Sequence, residues 1–373
     1  MSKQIYSAAD VLLWLLRCAL DNGCIENRRI ELKQKPDWEQ VGRLAASQGV
    51  GAIAWDGLCK LIESGQIAEE HLPDKVTKLK WIYSIEQLTA RYERQKGVIL
   101  KLAQTLQNED IRLMVLKGYG LSLTYPRPEH RACGDVDIWL FGDHKRGDEL
   151  LNKRFNLAID KDKHHHTVFY LDGIMVENHY DFLNVHSRHS NKKIEQILKQ
   201  LAHDAIEVDI EGTKLYIPNA NCHALFLLRH AAAHFAAAEI ALRHIIDWAM
   251  FVKQYHTDID WQWLNEVATK FNMHVFLSAL NTLAVDICGI EREWTHTPEC
   301  NINDTERRIL SDILSPEFSE KRPERGTLRI LGYKLRRWWA NRWKRSIVYN
   351  ESNLSSFFTQ SWSHILKPRS IKH

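Results

Sequence analysis

Gly134-Asp135-Val136-Asp137-Ile138-Trp139 is the stretch on which the reading of the chain turns. Side chains alternate faces along a strand, so Val136 and Ile138 would enter a core while Asp135 and Asp137 share the opposite face. Neighbouring carboxylates raise each other's pKa and are unfavourable together unless a cation neutralises them. Hard oxygen donors at this spacing suit Mg²⁺. A solvated polar strand end is the plain alternative, and the surrounding sequence has to choose between the two.

Upstream, Leu113-Met114-Val115-Leu116 is a short apolar run ending in Lys117-Gly118-Tyr119-Gly120, followed by a brief helical stretch and a Pro126-Arg127-Pro128 break. A strand that runs through glycine into a helix leaves backbone N–H groups facing outward for an anion, and Lys117 adds a point charge. Arg131 stands four residues before Asp135. Downstream, a helix is expected after Gly142-Asp143. Thr167 to Leu171 and Ile174 to Tyr180, joined by Asp172-Gly173, then read as a β-hairpin. On its second strand Glu177 and His179 share a face, which offers a third carboxylate. His164-His165-His166 precedes the hairpin; three consecutive histidines cannot all reach one metal, so a solvated or hydrogen-bonded cluster is the expectation. A second hairpin is expected around Glu211-Gly212.

The flanks have a different period. Residues 5 to 110 read as helical, with one long helix from Asp74 to Gln107 carrying Leu79, Ile82, Ile85, Leu88 and Tyr92 on its apolar side. From Pro218 onward the chain is helical again, with Asn219 or Asn221 as a cap. His230 and His234 lie one turn apart on that helix, and Arg243 and Asp247 repeat the spacing on the next. The histidine pair lacks the intervening Glu of a metalloprotease, so interior hydrogen bonding is preferred over zinc. Four segments are expected: a helical region over 1–110, an α/β domain over 111–218, a helical region over 219–320 and a tail over 321–373.

With 45% apolar and 26% charged residues, the 373-residue chain has the composition of an ordinary globular protein. Its seven cysteines include no Cys-x-x-Cys pair, which fits reduced thiols in a cytoplasmic protein and implies neither a zinc site nor a disulfide framework. The apolar run from Val11 to Leu20 is too short to span a bilayer and is interrupted by Arg17, so no transmembrane segment is expected. Residues 321–373 hold thirteen Lys and Arg against two Glu, a balance of +11 in a chain whose net charge is +3. With Trp338, Trp339 and Trp343 interleaved, this tail could meet an anionic membrane surface or nucleic acid, or pack its tryptophans on the body.

Taken in order, Leu116-Lys117-Gly118, Tyr125-Pro126, Arg131, Gly134-Asp135-Val136-Asp137-Ile138 and Val176-Glu177-Asn178-His179 resemble the polymerase-β-like nucleotidyltransferase superfamily, within it the bacterial nucleotidyltransferase family proteins of unassigned substrate. The resemblance extends over about residues 30 to 290, where His230, His234, Arg243 and Asp247 also match. It implies an α+β fold, a small mixed sheet embedded between helical regions. Asp135, Asp137 and Glu177 would be catalytic ligands of two Mg²⁺, and Lys117, Gly118, Arg131 and His179 would face the nucleotide. The implied reaction moves an NMP from an NTP to an unidentified acceptor and releases pyrophosphate. One departure stands out: no Ser follows Gly118 to contact phosphate, so Lys117 or Arg131 would have to supply charge. Two other readings compete. An Asp-x-Asp glycosyltransferase should carry alternating strands and helices before its motif, and a non-catalytic scaffold of the same fold should show no metal-dependent nucleotide binding.

Overall fold

The structure is a computed structural model that describes residues 7–20, 32, 34–186, 188–237, 240–296, 304–324 and 326–350. Six strands form one mixed sheet: β1 Met114–Val115, β2 Val136–Trp139, β3 His166–Leu171, β4 Ile174–His179, β5 Ile206–Ile210 and β6 Thr213–Ile217, in the order β3-β4-β2-β1-β6-β5. The β2–β4 and β1–β6 pairs are parallel, and the others are antiparallel. Helical regions flank the sheet on both sides in sequence, as an α+β fold requires.

Both hairpins close on the turns that their sequences call for. Asp172 and Gly173 have φ of 50° and 76°, and Glu211 and Gly212 have 52° and 78°, the paired left-handed conformation that suits the twist of a two-residue loop. Alternation then sorts the strands by face. Val136, Ile138, Phe169, Ile174 and Val176 pack on Val98, Ile99, Leu102 and Leu106 of the Lys75–Gln107 helix and on Leu151 of the His144–Phe155 helix. Each such aliphatic side chain contributes about 1.5–3 kcal/mol on burial. Asp148 ties the same side together, accepting from Thr167 Oγ1 at 3.0 Å and Asn178 Nδ2 at 2.8 Å. The other face is thereby left to Asp137, Glu177 and His179.

The long helix begins where its cap predicts, with Asp74 accepting from the Thr77 N–H at 2.9 Å. Its first half does not bury the expected stripe. Leu79 and Ile82 are exposed, and Trp81 turns inward instead, packing at a tilt against Trp55 and donating to the Gly51 carbonyl at 2.8 Å. A buried indole removes more apolar area than a leucine, and its N–H finds a partner. A helix at His189–Leu201, absent from the sequence expectation, lies between the hairpins. Its Glu195 accepts from the Phe182 and Leu183 N–H groups at 3.0 and 2.9 Å and holds the chain leaving β4.

Helices at Ala8–Leu20, Trp38–Ser47 and Gly51–Glu63 share one apolar cluster with Ala220–Ala237, Leu242–Tyr255 and His274–Leu283. Asn219 caps the first of the latter three, accepting from the Cys222 N–H at 2.9 Å. Val348 and Tyr349 belong to the same cluster, so the basic tail is not a separate object throughout. Lys344 is buried against Asp312 at 2.5 Å, and Trp343 packs edge-on to Phe235. Some of the charges expected to stay wet are therefore interior. Residues 351–373, with Lys367, Arg369 and Lys372, lie outside the described residues, as do Cys24 and Cys300; the five described cysteines are free thiols. Among the described residues, no helix is long and apolar enough to cross a membrane.

Candidate active site

Parallel pairing of β2 with β4 sets Asp137 opposite Glu177 and Trp139 opposite His179. Adjacent strands lie about 4.8 Å apart, so the two carboxylates meet across the strands without distortion. His179 Nε2 stands 2.9 Å from Asp137 Oδ1 and 3.4 Å from Glu177 Oε2, while its Nδ1 lies 3.2 Å from the Asp181 carbonyl. A carbonyl only accepts, so Nδ1 carries a proton there. Burial pushes the imidazole pKa down, but the hydrogen bonds to Asp137 and Glu177 outweigh that and raise it to about 9. Nε2 is then protonated as well, and His179 is a cation between two carboxylates.

Lys117 adds a second cation, its Nζ 3.3 Å from Asp137 Oδ1. Burial raises the Asp137 pKa, and Lys117 together with His179 reverses this and holds the carboxyl well below its usual range. Glu177 is also lowered, burial being overcome by the His179 hydrogen bond. Asp135 goes the other way, raised by burial and then by the charge of Asp137. Repulsion expected to be shared by the aspartates therefore falls on Asp135.

The Lys117-Gly118 turn sits directly over Asp137. Gly118 adopts φ 67° and ψ −114°, a conformation that a side chain resists, and a Cβ built on it would lie 3.9 Å from Asp137 Oδ2. The helix after it, Tyr119–Ser122, is a single turn. Lys117, Gly118, Asp135 and Asp137 line one wall of a cavity of about 480 Å³, within the range of small-molecule sites. Across it stand His230, His234, Arg243, His244 and Asp247. The long helix fixes the approach to Asp135: Arg91 donates to the carbonyls of Cys133, at 3.2 Å, and Gly134.

Arg131 lines the same cavity. Its guanidinium is buried and bidentate with Asp247, Nε–Oδ1 at 2.7 Å and Nη2–Oδ2 at 2.8 Å, and Tyr125 donates its hydroxyl to the same carboxylate at 2.6 Å. Its charge is balanced by Asp247 within the cavity wall. Arg243, which donates to the Ala132 carbonyl at 3.3 Å, pairs with no carboxylate among the described residues and also lines the cavity. His230 and His234 lie 4.4 Å apart between ring centroids with their planes tilted by 58°, and no third ligand converges with them among the described residues.

Two convergent groups of metal-ligand atoms occur among the described residues: Asp137 with Glu177 and His179, and His165 with His166 and His179. Asp135 lies outside the first, across the Gly118 turn. The carboxylate group fits a divalent cation on one observation besides its donor set. Asp137 is 1% exposed, and its Oδ2 is buried with no hydrogen-bond partner. A buried acceptor left without a partner costs about 1–3 kcal/mol, which a bound cation would recover. The second group joins two of the three consecutive histidines to His179 and leaves His164 out. His166 opens β3 opposite His179, and His165 precedes the strand, where alternation does not separate it from its neighbour. Burial lowers both imidazoles, His165 to about 2 and His166 to about 4, so they are neutral at pH 7.

A mixed sheet that carries an Asp-x-Asp strand, a third carboxylate on its parallel neighbour and a Lys-Gly turn over both defines a nucleotidyltransferase-type protein. The comparison with protein families agrees: the chain belongs to the family described as "Uncharacterised nucleotidyltransferase", matched over residues 34–289. It is also similar to a solved antigenic nucleotidyltransferase-like protein from Paracoccidioides brasiliensis, at 17% identity and a TM-score of 0.35, over 52% of this chain and 92% of that one. No curated protein matches it.

Proposed function

We propose that the protein moves an NMP from an NTP to an acceptor hydroxyl or phosphate and releases pyrophosphate. The observation that carries this reading is the Asp137–Glu177 pair across β2 and β4, with Asp137 buried and its Oδ2 unpartnered, beside a cavity of nucleotide size and under the Lys117-Gly118 turn. Asp135, Asp137 and Glu177 would hold Mg²⁺, up to two ions. Bound there, Mg²⁺ supplies charge stabilisation for the attacking and leaving oxygens of an in-line displacement. In the reaction an acceptor oxygen–Pα bond forms as the Pα–O bond to the β-phosphate breaks. Glu177, ionised at neutral pH, orients the acceptor and takes its proton. His179 holds Asp137 and Glu177 in register, and Lys117 places a positive charge at the triphosphate. Arg131 and Asp247 shape the cavity wall.

Calorimetric titration with Mg²⁺ and each of the four NTPs tests the reading. Metal-dependent binding of at least one NTP, with slow pyrophosphate release on adding acceptors, is the expected result. Nucleotide binding indifferent to Mg²⁺, or none, returns the fold to a scaffold, and preference for sugar nucleotides to a glycosyltransferase. We place the protein in the cytoplasm, in keeping with its free thiols.

For the tail we propose contact with an anionic membrane surface. On the Thr327–Ala340 helix Leu331, Leu335 and Trp339 follow one another at four-residue spacing and are 52%, 44% and 62% exposed, with Arg336 and Arg342 nearby. Such a stripe gains by entering a lipid interface, and each basic residue near an anionic surface adds about 1 kcal/mol. Co-sedimentation with phosphatidylserine vesicles should fall several-fold in the Leu331→Glu/Leu335→Glu variant and with rising salt. Equal sedimentation of variant and parent would remove the membrane from the account.

A further inference from the structure

We propose that His165, His166 and His179 form a second metal site, distinct in chemistry from the carboxylate centre, that takes a nitrogen-preferring divalent transition ion of the Zn²⁺ or Co²⁺ class. His165 and His166 each offer a ring nitrogen and His179 offers Nε2 once an incoming ion displaces its proton, and the three nitrogens lie within 4.8 Å of one another. The backbone under them is fixed on both sides. His166 pairs with His179 across the antiparallel β3–β4 ladder, and the His165 carbonyl accepts from the Tyr180 and Asp181 N–H groups at 3.0 and 3.1 Å. The rings of His165 and His166 meet edge to face at 4.3 Å, and that of His166 lies 5.0 Å from that of His179.

Three features separate this cluster from histidines that merely pack together. His166 is only 8% exposed, yet its Nδ1 has no hydrogen-bond partner, and the same is true of the buried Nδ1 of His165. Interior polar atoms are nearly always paired; the two nitrogens of one ring diverge and cannot meet the same ion, so with His166 Nε2 facing Glu177 it is the unpartnered Nδ1 of His165 that calls for a ligand. Second, Glu177 closes the site, with Oε1 3.6 Å from His166 Nε2 and Oε2 3.4 Å from His179 Nε2. Bonds of about 2.0–2.1 Å to zinc set tetrahedral edges of roughly 3.3–3.4 Å, so these spacings need little adjustment. Third, the donors discriminate. Imidazole suits zinc and its neighbours, whereas Mg²⁺ prefers oxygen and gives up water reluctantly. Glu177 then stands between two sites of different taste, one of oxygens at Asp137 and one of nitrogens at the β3–β4 edge.

The inference goes beyond nucleotidyl transfer, since the imidazoles would bind their ion without nucleotide. The full-length protein, stripped with chelator, is titrated with Co²⁺ while visible absorption is followed, and with Zn²⁺ by calorimetry. Wild type should develop the intense ligand-field band of a low-coordinate cobalt site at one equivalent. In His165→Asn/His166→Asn the band should vanish and Zn²⁺ affinity fall by more than about 100-fold, beyond the 10–100-fold that loss of an outer-shell partner costs. Asp135→Asn should leave both unchanged. Absence of the band in wild type, undiminished Zn²⁺ binding by the double variant, or equal loss in Asp135→Asn each overturns the site. Should circular dichroism show the double variant unfolded, the single His165→Asn variant decides, with the same two readouts. Mg²⁺–NTP binding measured in parallel separates failure of this site from failure of the nucleotidyltransferase reading.

Discussion

Asp137→Asn is expected to lower Mg²⁺-dependent NTP turnover by about 10²–10⁴-fold, the equivalent of several kcal/mol of transition-state stabilisation. Asp135→Asn should lower turnover on the same scale, and the two variants should part company in stability. Asp137 is held by Lys117 at 3.3 Å and His179 at 2.9 Å. Replacing its carboxylate by an amide weakens charge-assisted hydrogen bonds in a buried place and should cost about 1.5–3 kcal/mol. Asp135 has its carboxyl raised by burial and by Asp137, so its charged form opposes folding. Removing that charge should leave the urea midpoint at pH 7 unchanged or higher. Turnover and denaturation measured on both variants check this. Full turnover in Asp137→Asn would remove the carboxylate pair from the chemistry, and equal loss of stability in both would mean that the asymmetry between them is absent.

That asymmetry marks the limit of what the sequence could say. Period-two alternation placed Asp135 and Asp137 on one face, and Glu177 and His179 on one face of a neighbouring strand; the Asp-Gly turn set the hairpin that carries the latter pair. These are local rules, and the described sheet follows them for Asp137, Glu177 and His179, while Asp135 lies just before β2. Which cation would meet which carboxylate is not local. Lys117 is twenty residues from Asp137 and His179 forty-two, and only the strand order β4-β2-β1 brings all three together. The same holds for the histidines: three in a row read as a solvated or hydrogen-bonded cluster, and only the antiparallel register sets His166 against His179. On the long helix the stripe from Leu79 to Tyr92 had the right period, but the competition between Leu79 and Trp81 for the interior was decided by Trp55 on another helix. The His189–Leu201 helix was hidden by a polar first turn, its apolar content confined to Ile194, Ile197, Leu198 and Leu201.

Arg131 illustrates the same limit with a larger consequence. Four residues before the Asp-x-Asp strand it read as charge for phosphate, yet its partner Asp247 is 116 residues away in the chain. Asp247→Ala is expected to destabilise the protein by about 3–5 kcal/mol, because it leaves a buried guanidinium without its counter-charge and the Tyr125 hydroxyl without its acceptor. Replacing the whole network by apolar groups, as Tyr125→Phe/Arg131→Met/Asp247→Leu, should recover most of that loss, since no charge is then stranded. The pH dependence has a definite sign. Burial raises the Asp247 carboxyl, but the charge and hydrogen bonds of Arg131 and the Tyr125 hydroxyl bring it below its usual value. A carboxyl lowered in the folded state gives stability that is complete above the unfolded pKa of about 3.9 and disappears as the pH falls through the lower folded value. The gap in urea midpoint between wild type and Asp247→Ala should therefore be full at pH 7 and shrink below about pH 4. A gap under about 1 kcal/mol at pH 7, together with weakened NTP binding in Arg131→Met, would instead assign the guanidinium to the triphosphate and restore the role that its position in the sequence first gave it.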